Sequence, residues 1–290
     1  MNQVLPNSPI ALLSEHTAAL LEKVGSAQFP ALIVAMLKDI VTINDATIIV
    51  YPDTLVPIID YFDPPEEGGS HNLTLFLQGA FLLDPFYLAY ATDKKQGFYS
   101  LKELAPSAFK TTEYYNTYQR ISGVHDECGY LISTTGDGFI NISLNRTTLT
   151  RNFYRKELKL LKDIEPIITE LASQHWLSNA QPVTTGHQSL RKPLQSALND
   201  FGASVLTDRE CQVINRVLQG QSSKAIADKL AISNETVKLH KKHAYAKLDI
   251  NSQSELFHLF LDSLMSIDNY TGGDTLDYYL NHTTPANKNP

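Results

Sequence analysis

Residues 207–264, TDRECQVINRVLQGQSSKAIADKLAISNETVKLHKKHAYAKLDINSQSELFHLFLDSL, decide how the whole chain is read, because their caps, turns and apolar residues recur at fixed offsets. Thr207 and Glu210 form a capping box, in which the hydroxyl accepts from the amide three residues on and the carboxylate reaches back. Val213, Ile214, Val217 and Leu218 continue at helical spacing, and Gly220 stands where a left-handed residue stops a helix, so a first helix is expected over about 207–219. A second starts at Ser222-Ser223, with Ile226, Ala227 and Leu230 on one face. Ala231-Ile232-Ser233 is short enough only for a turn, and Ser233 or Asn234 caps a third helix running to Leu248. Two short helices joined by a three-residue turn read as a helix-turn-helix.

Lys238, Lys241, Lys242 and Lys247 stand on the third helix against the lone Glu235. Positions 238, 241, 242 and 245 share a face able to enter a major groove, while Val237 and Leu248 turn to the core. Ser252 and Glu255 open a fourth helix, whose Leu256, Phe257, Leu259, Phe260 and Leu264 exceed what a three-helix core needs; the surplus points to a dimer contact. A lysine-rich helix is by default a solvated face. Here the spacing of caps, turn and core favours binding to double-stranded DNA. His240 and His243 form an HxxH pair, but with no carboxylate or cysteine placed to complete a site, no metal or cofactor is expected.

This pattern resembles the LuxR-type bacterial regulators, through Leu206-Thr207, Arg209-Glu210, Gly220, Lys224, Ile226-Ala227, Leu230, Ile232-Ser233, Thr236-Val237-Lys238, His240 and Lys247-Leu248. The resemblance implies that Lys238, Leu239 and Lys242 face base edges and that Lys224, Thr236 and Lys241 lie near phosphates. It departs where the family usually has a glycine and a serine-arginine pair; this chain has Asp249 and Ser252-Gln253.

The chain of 290 residues is long enough for two cores. Its net charge is −7, yet residues 204–264 hold eight Lys or Arg against seven Asp or Glu, a net of +1, leaving −8 to the rest. An acidic body carrying a basic recognition helix suits a regulator that does not coat DNA indiscriminately. Cys128 and Cys211 fall in different expected domains, so no disulfide is expected. Without a basic leader or an apolar run of about 18 residues, a cytoplasmic protein with no membrane association is expected.

Upstream, residues 9–24 and 30–41 read as amphipathic helices, with Leu12, Leu13, Leu20 and Leu21, then Leu32, Ile33, Met36 and Leu37, turned inward. Strands are expected at 46–51, 56–61, 124–134 and 138–145, the last pair joined through Gly136-Asp137-Gly138. Ile140, Ile142 and Leu144 alternate with Asn141, Ser143 and Asn145, the pattern of a sheet with one wet face. Helical segments are expected through Phe76 and Phe81, from an Asp84 cap with Pro85 in the first turn, and through Phe109 to Tyr118. A long helix over 153–176 carries Leu158, Leu161, Ile164, Ile168 and Leu171, is bent at Pro166, and is placed to pair with its copy.

These elements give an α+β class: a GAF-like or PAS-like sensor over 1–176, a linker over 177–204, an all-α four-helix module over 205–265, and a polar, loosely held tail over 266–290. The expected homodimer pairs through the Leu158 to Leu171 and Leu256 to Leu264 stripes. From Leu83 to Arg146 the chain is similar to a LuxR-type subgroup with a GAF-like sensor, which implies a small-molecule input.

No phosphorylated-receiver pattern and no GxxxxGK[ST] loop occurs. Acyl-homoserine-lactone sensors resemble one another through a tryptophan, tyrosine and aspartate set, but the single tryptophan here is Trp176, which disfavours that ligand. Phe76, Phe81, Tyr87, Tyr90, Tyr114, Tyr115 and Tyr118 crowd around Asp84 and Glu113, a composition suited to a cationic or amine-bearing metabolite; the same residues also suit a plain core with Asp84 as a helix cap. Two rivals are a sensor that docks a protein instead of a metabolite, and an enzyme tethered to the DNA-binding module. His125, Asp126 and Glu127 alternate sides of a strand and need not converge on anything, and no nucleophile elbow or metal constellation supports catalysis, so no enzyme is expected.

Overall fold

The computed structural model describes residues 9–52, 57–63, 76–77, 79–112, 114–120, 123–134, 136–147, 151–178, 197–266 and 273–283. They fall into two compact units, one of residues 1–68, 89–103 and 123–188, the other of residues 69–88, 104–122 and 189–290.

The first unit is built on an antiparallel five-stranded sheet. Its helices α1 (Pro9–Leu21) and α2 (Phe29–Ile40) precede β1 (Asp45–Tyr51) and β2 (Ile58–Phe62). Helix α3 (Pro85–Asp93) leads into β3 (Gly97–Ser100), followed by β4 (Val124–Ser133), β5 (Phe139–Thr147), α4 (Arg155–Asp163) and α5 (Glu165–Ser178). The order across the sheet is β2-β1-β5-β4-β3, so the long β4–β5 hairpin supplies the centre. Ile48, Ile142 and Tyr130 are cross-strand neighbours, as are Ala46, Leu144 and Cys128, and this face forms one core with Ile33, Met36 and Leu37 of α2 and Ile168 and Leu171 of α5.

Several expectations are corrected here. Leu20 is buried but Leu21 is 52% exposed, since adjacent helical residues point about 100° apart. The 153–176 helix is two helices, α4 ending at Asp163 and α5 starting at Glu165, because Pro166 cannot continue the hydrogen-bond ladder behind it. Its stripe is turned inward: Leu161, Ile164, Ile168 and Leu171 are buried in the unit's own core, and Leu158 packs against it half-buried. The second sheet face is not wet either, as Asn141, Ser143 and Asn145 are all buried. Ser143 donates to Glu127 at 2.5 Å and Asn145 to Asp45 at 2.7 Å, so these two meet other polar side chains instead of water, whereas the buried Asn141 side-chain oxygen has no hydrogen-bond partner.

Arg146, 2% exposed, closes the end of β5. Its guanidinium donates to the carbonyls of Thr42, Arg151 and Asn152, pairs with Glu157 at 3.1 Å, and lies 4.2 Å from the Phe153 ring centroid. Every side of a buried cation is thereby satisfied.

The second unit holds α6 (Asp208–Leu218), α7 (Ser223–Leu230), α8 (Asn234–Lys247), α9 (Gln253–Met265) and α10 (Thr275–Thr283). Tighter and wider turns precede them: 3-10 helices at Ala80–Leu83 and Phe109–Thr111 and a π-helical segment at Tyr114–Gln119. The stripe on α9 is turned inward, Leu256, Phe257, Phe260 and Leu264 being buried. Phe201 meets Phe260 edge-on at 5.4 Å. The tail beyond 266 contributes helix α10, whose Leu276 is buried and whose Thr275 hydroxyl lies 3.1 Å from that of Ser263. Asp274 accepts from the amides of Gly202, Ser204 and Leu276 and from the Ser204 hydroxyl. Residues 179–196, in the expected linker, and Glu113 lie outside the described residues, as do the side chains of Tyr118 and Met265.

Candidate nucleic-acid interface

The helix-turn-helix is fixed by its caps. Thr207 accepts from the Glu210 amide at 3.4 Å while Glu210 accepts from the Thr207 amide at 2.8 Å, and Gly220 stops the first helix at φ 77°. Ser222 accepts from the Ala225 amide, and Ser233 from that of Thr236 at 3.0 Å. Between them Ala231 takes the left-handed conformation at φ 53°, which turns α7 into α8 within three residues. Ile214, Ile226, Val237 and Ala244 are fully buried and hold the three helices together.

With that core fixed, the front of α8 faces outward. Lys238 and Lys242 are exposed, and between them Leu239 is 51% exposed. Lys224, at the start of α7, is exposed; Thr236 and Lys241 are half-buried. Burial draws the Lys241 ammonium below its ordinary pKa, and its nitrogen sits 5.1 Å from the Tyr245 ring centroid.

Lys247, on the same helix but off that face, ion-pairs with Glu210 at 2.7 Å. Burial alone would raise the Glu210 carboxyl, but the bonds from Lys247 and Thr207 outweigh it and take the pKa down to about 2. This side chain thus belongs to the scaffold. Asp249 stands at φ 54°, left-handed, at the position where a glycine is usual, and Gln253 donates to the Val217 carbonyl at 3.4 Å. Among the described residues no group of three or more His, Cys, Asp or Glu can hold a metal ion, and no helix is long and apolar enough to cross a membrane.

The aromatic residues singled out around Asp84 are brought together only in part. Phe76 lies 6.1 Å from Phe81 and Phe81 meets Tyr87 edge-on at 5.1 Å, while Phe109 approaches Tyr114 and Tyr115. Asp84 accepts from the Phe86 and Tyr87 amides at 2.8 and 3.0 Å, capping α3, and from the Tyr114 hydroxyl at 2.7 Å. Burial raises its pKa, against the lowering effect of these bonds. Tyr90 is directed elsewhere, stacked on Phe139 at 4.2 Å and donating to the Gly138 carbonyl. Trp176 donates to Asp60 at 2.9 Å.

Residues 204–260 match the model of the luxR family of bacterial regulatory proteins. A putative HTH-type transcriptional regulator of Aeromonas salmonicida is 32% identical over 191 residues, covering 63% of this chain and 95% of that protein. The chain belongs to the LuxR family. Its similarity to the Fimbriae Z protein of Escherichia coli K12 is 40% over 65 residues, 22% of this chain and 31% of that protein. Among solved structures, the VqsR ligand-binding domain of Pseudomonas aeruginosa gives 25% identity and a TM-score of 0.49 over 57% of this chain and 96% of that one. SdiA of E. coli gives 14% and 0.41 over 87% and 98%. This LuxR-family chain is thus a transcriptional regulator whose helix-turn-helix is the DNA-binding element.

Proposed function

We propose that this regulator reads a specific duplex sequence through Lys238, Leu239 and Lys242, with Lys224, Thr236 and Lys241 on the phosphates, under the control of a small molecule. The observation that carries the reading is the outer face of α8, where the exposed Lys238, Leu239 and Lys242 stand on a helix whose Val237 and Ala244 are buried in the helix-turn-helix core; two cations flanking an apolar side chain suit guanine edges and a thymine methyl in the groove. Selection of duplexes from a random pool, followed by anisotropy titration of the full chain, tests it. One enriched sequence bound at least about a thousandfold above bulk DNA is expected, and uniform binding of all duplexes overturns it.

The division of labour we propose places sensing in 1–176, a linker at 177–204, reading in 205–265 and an accessory tail at 266–290. A homodimer in the cytoplasm fits half-sites about 34–36 Å apart. The half-buried Leu158 and Leu259 are the members of the two stripes left for pairing, and sedimentation of the full chain measures it. For the effector, Asp84 amid aromatic rings supports an amine-bearing metabolite, since a desolvated cation–ring contact contributes about 0.5–2 kcal/mol. Calorimetry comparing diamines with the matching diols decides the class; equal heats from both end it.

A further inference from the structure

The last turn of α5 is fastened to the corner between α1 and α2 by a histidine that acts as an acceptor. Gly25 stands in that corner at φ 81°, and its amide donates to Nδ1 of His175 at 2.9 Å, across 150 positions of sequence. The His175 ring is 4% exposed, lies face to face on Phe29 with centroids 4.2 Å apart, and meets Trp176 edge-on at 4.8 Å. A backbone amide can only donate, so Nδ1 carries its lone pair and the ring is neutral, with its proton on Nε2. A proton added at Nδ1 sets two N–H groups against each other and breaks the bond that joins the two elements. The C-terminal end of the α5 dipole and Asp60 of β2 favour the cation, while burial and the Gly25 amide oppose it. Burial prevails and draws the imidazole below its ordinary 6.5. Other charges on the packed elements do not act on the ring. Lys38 of α2 and Tyr61 of β2 both bond Asp63, and Asp39 is paired with His16; Glu22 and Lys23 at the corner, and Glu165 and Glu170 on α5, leave its pKa unmoved.

We propose that His175 is an acid-released latch: neutral, it fastens the end of α5 to the Gly25 corner, and protonated, it lets that end go. In chain order α5 is the last element of the sheet unit before the helix-turn-helix module, so the regulator answers acid as an input separate from any small molecule. Because the folded imidazole takes up its proton below 6.5, the unfolded chain is protonated first, and the latch's contribution to the sheet unit is complete above pH 6.5 and is lost as the pH falls through the folded value.

The full chain is unfolded in urea at pH 8 and at pH 5, with Trp176 fluorescence as the signal. His175→Phe keeps the stack on Phe29 but offers Gly25 no acceptor, so its midpoint should lie about 0.5 M below wild type at pH 8, the loss of one hydrogen bond. That gap should close at pH 5, where wild type has lost the same bond. His175→Asn places an acceptor near the position of Nδ1 and takes up no proton, so its gap to His175→Phe should be the same at both pH values. A wild-type gap that does not close overturns the latch, and so does a His175→Asn gap that closes equally. Hydrogen exchange of wild type needs no variant: protection of the peptide around Gly25, corrected for the intrinsic rate, should fall about tenfold from pH 7.5 to pH 5.5, and unchanged protection also overturns it. The regulatory arm is duplex affinity over the same pH interval, which should change about fivefold more in wild type than in His175→Asn, because His240 and His243 of α8 titrate in both. Equal changes in the two chains remove His175 from regulation and overturn the switch.

Discussion

Replacing Lys247 with Met probes the pair that ties the end of α8 to the start of α6. Glu210 is almost wholly buried, and its carboxyl stands at about 2, against an ordinary 4.5. That difference corresponds to roughly 3.4 kcal/mol if all of it stabilised the fold, at about 1.36 kcal/mol per unit. Lys247 is 39% exposed, so solvent screens its share, and Thr207 keeps its own bonds to the carboxylate. About 1.5–2 kcal/mol is the expected loss for Lys247→Met at pH 7. The pH dependence has a definite sign: a depressed carboxyl contributes fully above its unfolded pKa, and the contribution fades as pH falls toward the folded value. A loss of that size corresponds to a carboxyl raised by little more than one unit in the variant, so its deficit should shrink by about half near pH 2.7. Urea unfolding followed by helical circular dichroism measures it, while fluorescence of the single tryptophan, Trp176, reports the sheet unit separately. A variant within about 0.3 kcal/mol of wild type at pH 7, or a deficit equally large at both pH values, refutes the reasoning.

Three further outcomes are expected. Lys238→Ala should weaken binding to the selected duplex and relax preference at one base pair by about 1–3 kcal/mol, whereas Lys241→Ala should lower affinity for all sequences and reduce the salt slope by about 1; anisotropy across salt concentrations separates them. Ala231→Gly should stabilise the helix-turn-helix by about 0.5 kcal/mol, because relief of a left-handed alanine exceeds the added chain entropy, as urea midpoints would register. Arg146→Met should cost about 3–5 kcal/mol in the sheet unit, since it strands Glu157 and three carbonyls, and loss of the Trp176 fluorescence transition at lower urea checks it.

What could be read before the structure was what acts over short sequence distance. The caps at Thr207, Ser222, Ser233 and Ser252 each involve a residue and an amide three positions on, so the string of letters contains both partners. The β4–β5 hairpin was legible for the same reason. Lys247 and Glu210 are 37 residues apart, and Arg146 and Thr42 are separated by 104, so nothing local distinguishes these side chains from solvated ones. Alternation located the two faces of β5 correctly but not what covers the second, because Asn141, Ser143 and Asn145 look the same in water or under other residues. Apolar stripes misled in the opposite direction: those on α5 and α9 were surplus only while the sheet and α10 were out of view. Asp84 carried two readings, and its three hydrogen bonds give the capping role a geometry that the ligand role still has to acquire by experiment.

The Asp274 carboxylate joins points 70 residues apart, binding the entry to the module at Gly202 and Ser204 to its exit. Chain that is tied at both ends has less freedom to lose than chain that is open, and fraying from either end must break the same knot. A fragment cut at residues 205 and 265 therefore discards both halves of the fastening, along with Phe201 and Leu276, and should melt earlier than one spanning 197–283. The smallest piece that matches its relatives by sequence is, on this account, shorter than the smallest piece that holds itself shut.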